Sequence, residues 1–273
     1  MAHEPARPTS LTFGDLGGAV RVVVPTDAIA VSLRQMLAGL HLTGADAVRA
    51  SLRLEGGTEA WTVTGDESPR HTFPTLPAAL EALEYLVTVR LLCLAGDRPH
   101  LHAAGVVHRD RAILALGASG TGKTTLALRW SAMRRAVLSD DVVLLQRDGR
   151  LAGFRRLFTT TRAGLERAGL PAAATASDDP DLARFDPAPY GGWADAAPAA
   201  VLAWTGYQPG VETDIRHLSK PEALNRLTAA LLPTGLPAAR CFENLVELVR
   251  TTVTLELVFG DVRRAARALL DLA

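Results

Sequence analysis

The stretch from Arg111 to Trp130 limits the fold more than any other part of the chain: RAILAL, then GASGTGKT, then TLALRW. The apolar run Arg111–Leu116 suits a buried parallel strand. Gly117, four intervening residues and Gly122-Lys123-Thr124 match the pattern GxxxxGK[ST]. Glycines at those positions let the backbone fold back until several N–H groups point at one anion. A helix starting at Thr124 adds the positive end of its dipole. Gly117, Ala118, Ser119, Gly120, Thr121, Gly122, Lys123, Thr124 and Thr125 are therefore the expected phosphate cradle. Lys123 is expected on the β/γ-phosphates and the Thr124 hydroxyl on Mg²⁺. A chain built this way is expected to bind a nucleoside triphosphate.

One helix and one strand further on comes Ser139-Asp140-Asp141, after the strand core AVL and before VVLL. In strand–loop–helix proteins of this kind, an aspartate at the end of the next core strand supports Mg²⁺. Two adjacent acids permit a division of labour, one serving the metal and the other taking a proton from an attacking hydroxyl. Missing motifs narrow the class. No LSGGQ-like stretch follows, which argues against a transporter ATPase, and no NKxD motif, which argues against a GTPase. The arginine-dense lid of small-nucleotide kinases is also lacking; only Arg155, Arg156 and Arg162 cluster.

At 273 residues the chain can hold a large domain with a smaller lobe. Its formal net charge is zero, and its basic residues pair only briefly, as at Arg134-Arg135, Arg155-Arg156 and Arg263-Arg264. No nucleic-acid partner is expected. Cys93 and Cys241 lie in apolar helical sequence and read as buried thiols rather than a disulfide or metal pair. The N-terminus MAHEPARPTS lacks a signal pattern and no apolar run reaches membrane-spanning length, so a soluble cytoplasmic protein off the membrane is expected. A homo-oligomer is left open.

Residues 1–96 read as an N-terminal α+β lobe and 97–273 as a P-loop domain. In the lobe, residues 11–25 suit a strand and Thr26-Asp27 a helix cap. Residues 47–54 and 61–64 suit a hairpin across Gly56-Gly57, and Thr75 caps a helix to Leu94. In the second part, strands on either side of Arg109-Asp110 lead into the glycine loop. His100 is expected at a strand edge and His108 at a turn. Residues 171–198, rich in Ala, Asp and Pro without a sustained period, read as a mobile loop or lid. Strands at 200–204, 213–218 and 253–259 then alternate with helices at 221–232, 238–251 and 261–272, and Ser219 with Pro221 suits a helix start.

The run His102-Ala-Ala-Gly-Val-Val, the loop GASGTGKTTLAL and the strand VLSDDVVLL together resemble the catalytic domain of HPr kinase/phosphorylase. They are nearer still to the smaller HPr-kinase-related proteins of peptide biosynthesis clusters, the lasso-peptide precursor kinases among them. A weaker likeness extends to FRRL at 154–157, LARFDP at 182–187 and the helical end from KPEAL onward. The resemblance implies an α/β fold whose P-loop core is a mixed sheet related to phosphoenolpyruvate carboxykinase. It implies transfer of the γ-phosphate of ATP, with Mg²⁺, to a serine-type hydroxyl of a peptide or protein, such as a natural-product precursor. A small-molecule hydroxyl kinase and a nucleotide-binding regulatory protein without transfer remain as alternatives. Carried over, Asp140 is the general base with His102 beside it. Asp141 or Thr124 holds Mg²⁺, Lys123 assists catalysis, and Arg156 and Arg184 neutralise transferring phosphate charge. The two acids can exchange roles. Thr125 stands where HPr kinase proper carries Glu, and the signature loop that supports phosphorolysis is not recognisable. The resemblance therefore does not carry the phosphorylase activity or the HPr substrate.

Overall fold

The structure is a computed structural model that describes residues 8–15, 17–40, 48–56, 59–66, 68–96, 98–171, 182–233 and 236–273. It is mixed α/β, with several sheets and helices on them. The chain divides into two compact units, Met1–Gly96 and Asp97–Ala273.

The first unit carries β1 (Thr9–Asp15), β2 (Gly18–Val24), α1 (Asp27–Met36), β3 (Val48–Gly56), β4 (Trp61–Gly65), β5 (Ser68–Phe73) and α2 (Leu76–Leu94). The strands form one sheet in sequence order; β2 and β3 pair in parallel, and every other pair is antiparallel. The single strand expected over 11–25 is therefore two, divided between Asp15 and Gly18. The β3–β4 hairpin forms as expected, its turn residues 57–58 lying outside the described ones. β5 escapes a pattern search because SPRHTF has no apolar alternation, which an edge strand can dispense with. The cap signals hold: the Thr26 hydroxyl accepts from Ile29 N at 3.3 Å and that of Thr75 from Ala78 N at 3.4 Å. Cys93, near the end of α2, is exposed rather than buried; Cys241 is buried, and both are free thiols.

In the second unit, β6 (His100–His108) and β7 (Arg111–Leu116) form an antiparallel hairpin around Arg109 and Asp110, both at positive φ. His100 is buried, not at an exposed edge. Then follow α3 (Lys123–Ala132), β8 (Val137–Ser139), β9 (Val142–Leu145), β10 (Arg150–Gly153), β11 (Phe158–Thr161), α4 (Arg162–Ala168) and β12 (Leu182–Phe185). The chain closes with β13 (Ala197–Tyr207), β14 (Asp214–His217), α5 (Lys220–Thr228), α6 (Ala238–Thr251), β15 (Val253–Phe259) and α7 (Val262–Asp271). The main sheet runs β10-β9-β6-β7-β13-β15-β14, with β8 also on β6 and β10 also on β13. It is mixed: β7, β13 and β15 are mutually parallel, while β6, β10 and β14 run against their neighbours.

β7 alternates its side chains between two apolar layers, which is why its sequence is apolar throughout. Ile113 and Ala115 pack with residues of α3, α4 and α7; Ala112, Leu114 and Leu116 pack with residues of α5 and α6. Trp130, fully buried on α3, donates its indole N–H to Ala266 O on α7 at 3.3 Å. Ser219 caps α5, accepting from Glu222 N at 3.4 Å.

Residues 171–198 differ from the mobile segment expected. Residues 172–181 lie outside the described ones, but 182–185 form β12, paired along its length with β11. Phe185 and Trp193 then pack their rings on Phe158, and Tyr190 packs on Phe185. Successive aromatic residues are five and three positions apart, with no sustained strand or helix period, so only the tertiary contact reveals them. Among the described residues, no helix is long and apolar enough to cross a membrane.

Candidate functional site

The loop between β7 and α3 has Gly117, Gly120 and Gly122 at φ values of 137°, 82° and 96°. Gly122 is required twice over. It is the left-handed residue that starts α3, and a Cβ there would stand 2.7 Å from Phe259 Cζ. Lys123 is buried, 6 % exposed, and its ammonium donates to Gly117 O and Ala118 O, both at 2.8 Å. Burial lowers its pKa, and the acids at 141 and 140 pull the other way. The Thr121 hydroxyl donates to Ala118 O at 2.9 Å and accepts from Thr205 Oγ1 at 3.3 Å, while Thr205 also bonds Leu116 O. The loop thus has two sides. Ser119, Gly120, Gly122, Lys123, Thr124 and Thr125 line a cavity of about 700 Å³. Gly117, Ala118 and Thr121 brace the loop from behind.

The acid pair sits where the strand beside β6 breaks. β8 pairs Ser139 with Gly105 and β9 resumes at Val142 opposite His102. Ser139 holds the bend between them. Its hydroxyl donates to Phe154 O at 3.1 Å and accepts from the N–H groups of Asp141 at 3.3 Å and Val142 at 3.2 Å. At Gly153 the backbone of β10 passes so close that a Cβ would fall 1.7 Å from Leu138 O. The bend turns both carboxylates into the cavity.

The two acids have different surroundings. Asp140 is 5 % exposed and lies beside the Thr124 side chain. Burial, and then the charge of Asp141, push its pKa up from 3.8 to about 7, against Arg156 and Thr124. Asp141, with its side chain 42 % exposed, is held at both oxygens: Arg156 Nη2 lies 3.2 Å from Oδ2 and His102 Nε2 3.3 Å from Oδ1. Burial first, then Lys123, lowers the His102 pKa against the pull of Asp141. The lowered pKa favours the neutral imidazole, and the contact with Asp141 is a close approach of ring nitrogen to carboxylate oxygen. The histidine expected beside Asp140 is thus on Asp141, because its strand position faces β9 rather than β8.

Arg184 does not reach the cavity. It lies on β12 opposite Thr159, and Thr159, one strand nearer, is the residue that lines it. The arginines that do line it are Arg156, Arg167 on α4 and Arg263 on α7. The last two, with Tyr207 and Phe259 at the ends of β13 and β15, carry no motif. A neutral chain with single arginines on amphipathic helices offers no signal for them.

This arrangement can receive a polyphosphate: open backbone and a cation at a helix N-terminus on one side, further arginines around it. Mg²⁺ suits the donor set. Thr124 and Asp140 are adjacent hard oxygen donors, and Mg²⁺ takes one or two protein ligands while keeping water and phosphate oxygens for the rest. A carboxyl whose pKa burial raises is one that a bound cation shifts toward its ionised form. Among the described residues, no group of three or more His, Cys, Asp or Glu forms an all-protein metal site. A scan against protein-family models finds no match for the chain, and a search of curated proteins finds none either.

Proposed function

We propose that this chain is a P-loop phosphotransferase of the HPr-kinase-like kind, which moves the γ-phosphate of ATP to a serine-type hydroxyl of a peptide or protein. One observation carries this reading: a glycine loop with Lys123 and Thr124 opens into the same cavity as two carboxylates in unlike environments. A protein that only binds nucleotide has a use for one such acid. The mixed sheet, with β6 antiparallel to β7, supports kinship with the HPr-kinase and phosphoenolpyruvate-carboxykinase fold over the all-parallel nucleotide kinases.

In this reading the backbone N–H groups of residues 119–125 and the Lys123 ammonium hold the β- and γ-phosphates. Thr124 and Asp140 would hold Mg²⁺, which would supply charge neutralisation at the phosphate oxygens. Asp141 takes the proton. It is the more open acid, its orientation is set by His102 and Arg156, and an acceptor hydroxyl can approach it from solvent. The raised pKa of Asp140 would by itself suit a base. Its burial beside Thr124 instead favours a role at the metal. The acceptor oxygen forms a bond to the γ-phosphorus, the bond from that phosphorus to the β,γ-bridging oxygen breaks, ADP leaves, and the hydroxyl proton passes to Asp141. Arg156 faces the transferring group with its charge.

Incubation with γ-labelled ATP, Mg²⁺ and a library of serine-containing peptides tests this. Label recovered in phosphoserine is expected. Binding of ATP with no label in any acceptor, protein or small molecule, overturns transfer and leaves a nucleotide-binding protein.

A further inference from the structure

The sheet order puts the acid bend and an aromatic pair on opposite sides of β7, and hence of the glycine loop. The bend lies beside β6 on one side; β13 and β15 lie on the other. Leu116, the last residue of β7, is level with Trp204, yet β13 runs on to Tyr207 and stays paired with β15 as far as Phe259. The two rings therefore project past the end of β7 and wall the loop, 5.7 Å apart between centroids. The Arg167 guanidinium lies over the Tyr207 ring, 5.8 Å from its centroid, and its Nε bonds Ala163 O on its own helix. Arg263, at the start of α7, completes this end of the cavity.

We infer that Arg167, Tyr207 and Arg263 form the nucleoside end of the cavity and take a planar nucleobase by stacking, with no side chain reading its edge. This rests on the phosphotransferase reading. If the γ-phosphate points at the acids, the rest of the donor extends from the loop toward Tyr207. A guanidinium already lying over one aromatic ring can receive a second. Among the described residues that line this end, the carboxylate is Asp261, whose Oδ1 caps α7, accepting from Arg263 N at 2.7 Å and Arg264 N at 3.4 Å, while its Oδ2 lies 4.0 Å from Arg264 Nε. Stacking does not depend on the identity of the base, because every base has a π-face. ATP and GTP are then interchangeable donors.

Calorimetric titration of Mg²⁺ complexes of ATP, GTP and tripolyphosphate into the whole chain tests this, with Arg167→Ala and, as a charge-preserving control, Arg167→Lys. Wild type should bind ATP and GTP within about tenfold of each other, and both more tightly than tripolyphosphate. Arg167→Ala should weaken both nucleotides about three- to thirtyfold and tripolyphosphate by less; Arg167→Lys should fall between. Equal loss for tripolyphosphate would show that Arg167 serves phosphate. Wild type binding ATP no better than tripolyphosphate, or a preference between the bases well beyond tenfold, would also overturn the inference while leaving the phosphate cradle intact. Failure of all three ligands to bind would remove the cradle, and with it both readings.

Discussion

The Thr124 side chain, in the first turn of α3, lies beside the Asp140 carboxylate at the bend between β8 and β9 and favours its ionised form. Arg156 and then Thr124 only partly offset the burial of this acid and the charge of Asp141, and the imbalance has a thermodynamic consequence. The folded pKa of Asp140 is about 7, above the ordinary value of 3.8. Between those values the native state binds more protons than the unfolded one, so stability falls as pH rises through that window. Above pH 7 the cost is fully present. Asn at this position keeps an acceptor for Thr124 and carries no charge. Asp140→Asn should therefore raise the melting temperature of the nucleotide-free protein at pH 8, and the gain should shrink toward pH 5. A gain that grows on acidification would show the opposite shift.

Lys123 bonds the loop's own carbonyls, at Gly117 and Ala118. Its replacement removes a cation from the cradle and two charge-assisted bonds that shape the loop. Lys123→Ala should abolish turnover and weaken nucleotide binding roughly tenfold to a hundredfold, from 1.5–3 kcal/mol for hydrogen bonds to a charged group. The far-ultraviolet circular dichroism spectrum should be unchanged. Normal turnover in this variant would defeat the cradle.

Ser139 serves three partners from one hydroxyl, and it is buried. Alanine leaves Phe154 O and the N–H groups of Asp141 and Val142 without that partner. Ser139→Ala should cost about 1–3 kcal/mol in denaturant unfolding and reduce phosphate transfer, since the bend sets where both acids point. Full stability with full activity would mean that the backbone holds the bend unaided.

What could be read from the chain follows how local each signal is. The strand, glycine loop and helix at 111–132 are contiguous, and so are the caps at Thr26, Thr75 and Ser219; each rests on chemistry within a few residues. The acid pair is visible for the same reason. Ser139 stands next to it but gains its role only from Phe154, brought in when β10 folds across β8. Arg167, Tyr207 and Arg263 arrive from three separate elements through strand pairing and helix packing. Arg184 shows the converse: a plausible arginine by sequence position is set one strand too far out by the β11–β12 register.

The division of labour between the two acids is the sharpest test of the mechanism. Asp141 is open to an incoming hydroxyl and oriented by His102 and Arg156; Asp140 is buried on Thr124. General-base assistance is worth about a hundredfold to ten-thousandfold in rate, so Asp141→Asn should lower single-turnover transfer by that range with nucleotide affinity nearly unchanged. Asp140→Asn should instead weaken nucleotide binding in the presence of Mg²⁺ and leave binding in EDTA alone, because its carboxylate acts on the metal. His102→Ala should lie between wild type and Asp141→Asn in transfer rate, as expected of a residue that only orients the base. The reverse pattern, with transfer lost in Asp140→Asn and metal dependence lost in Asp141→Asn, would make the buried acid the base. Full transfer in both variants would place the proton acceptor outside this pair and end the mechanism proposed for it.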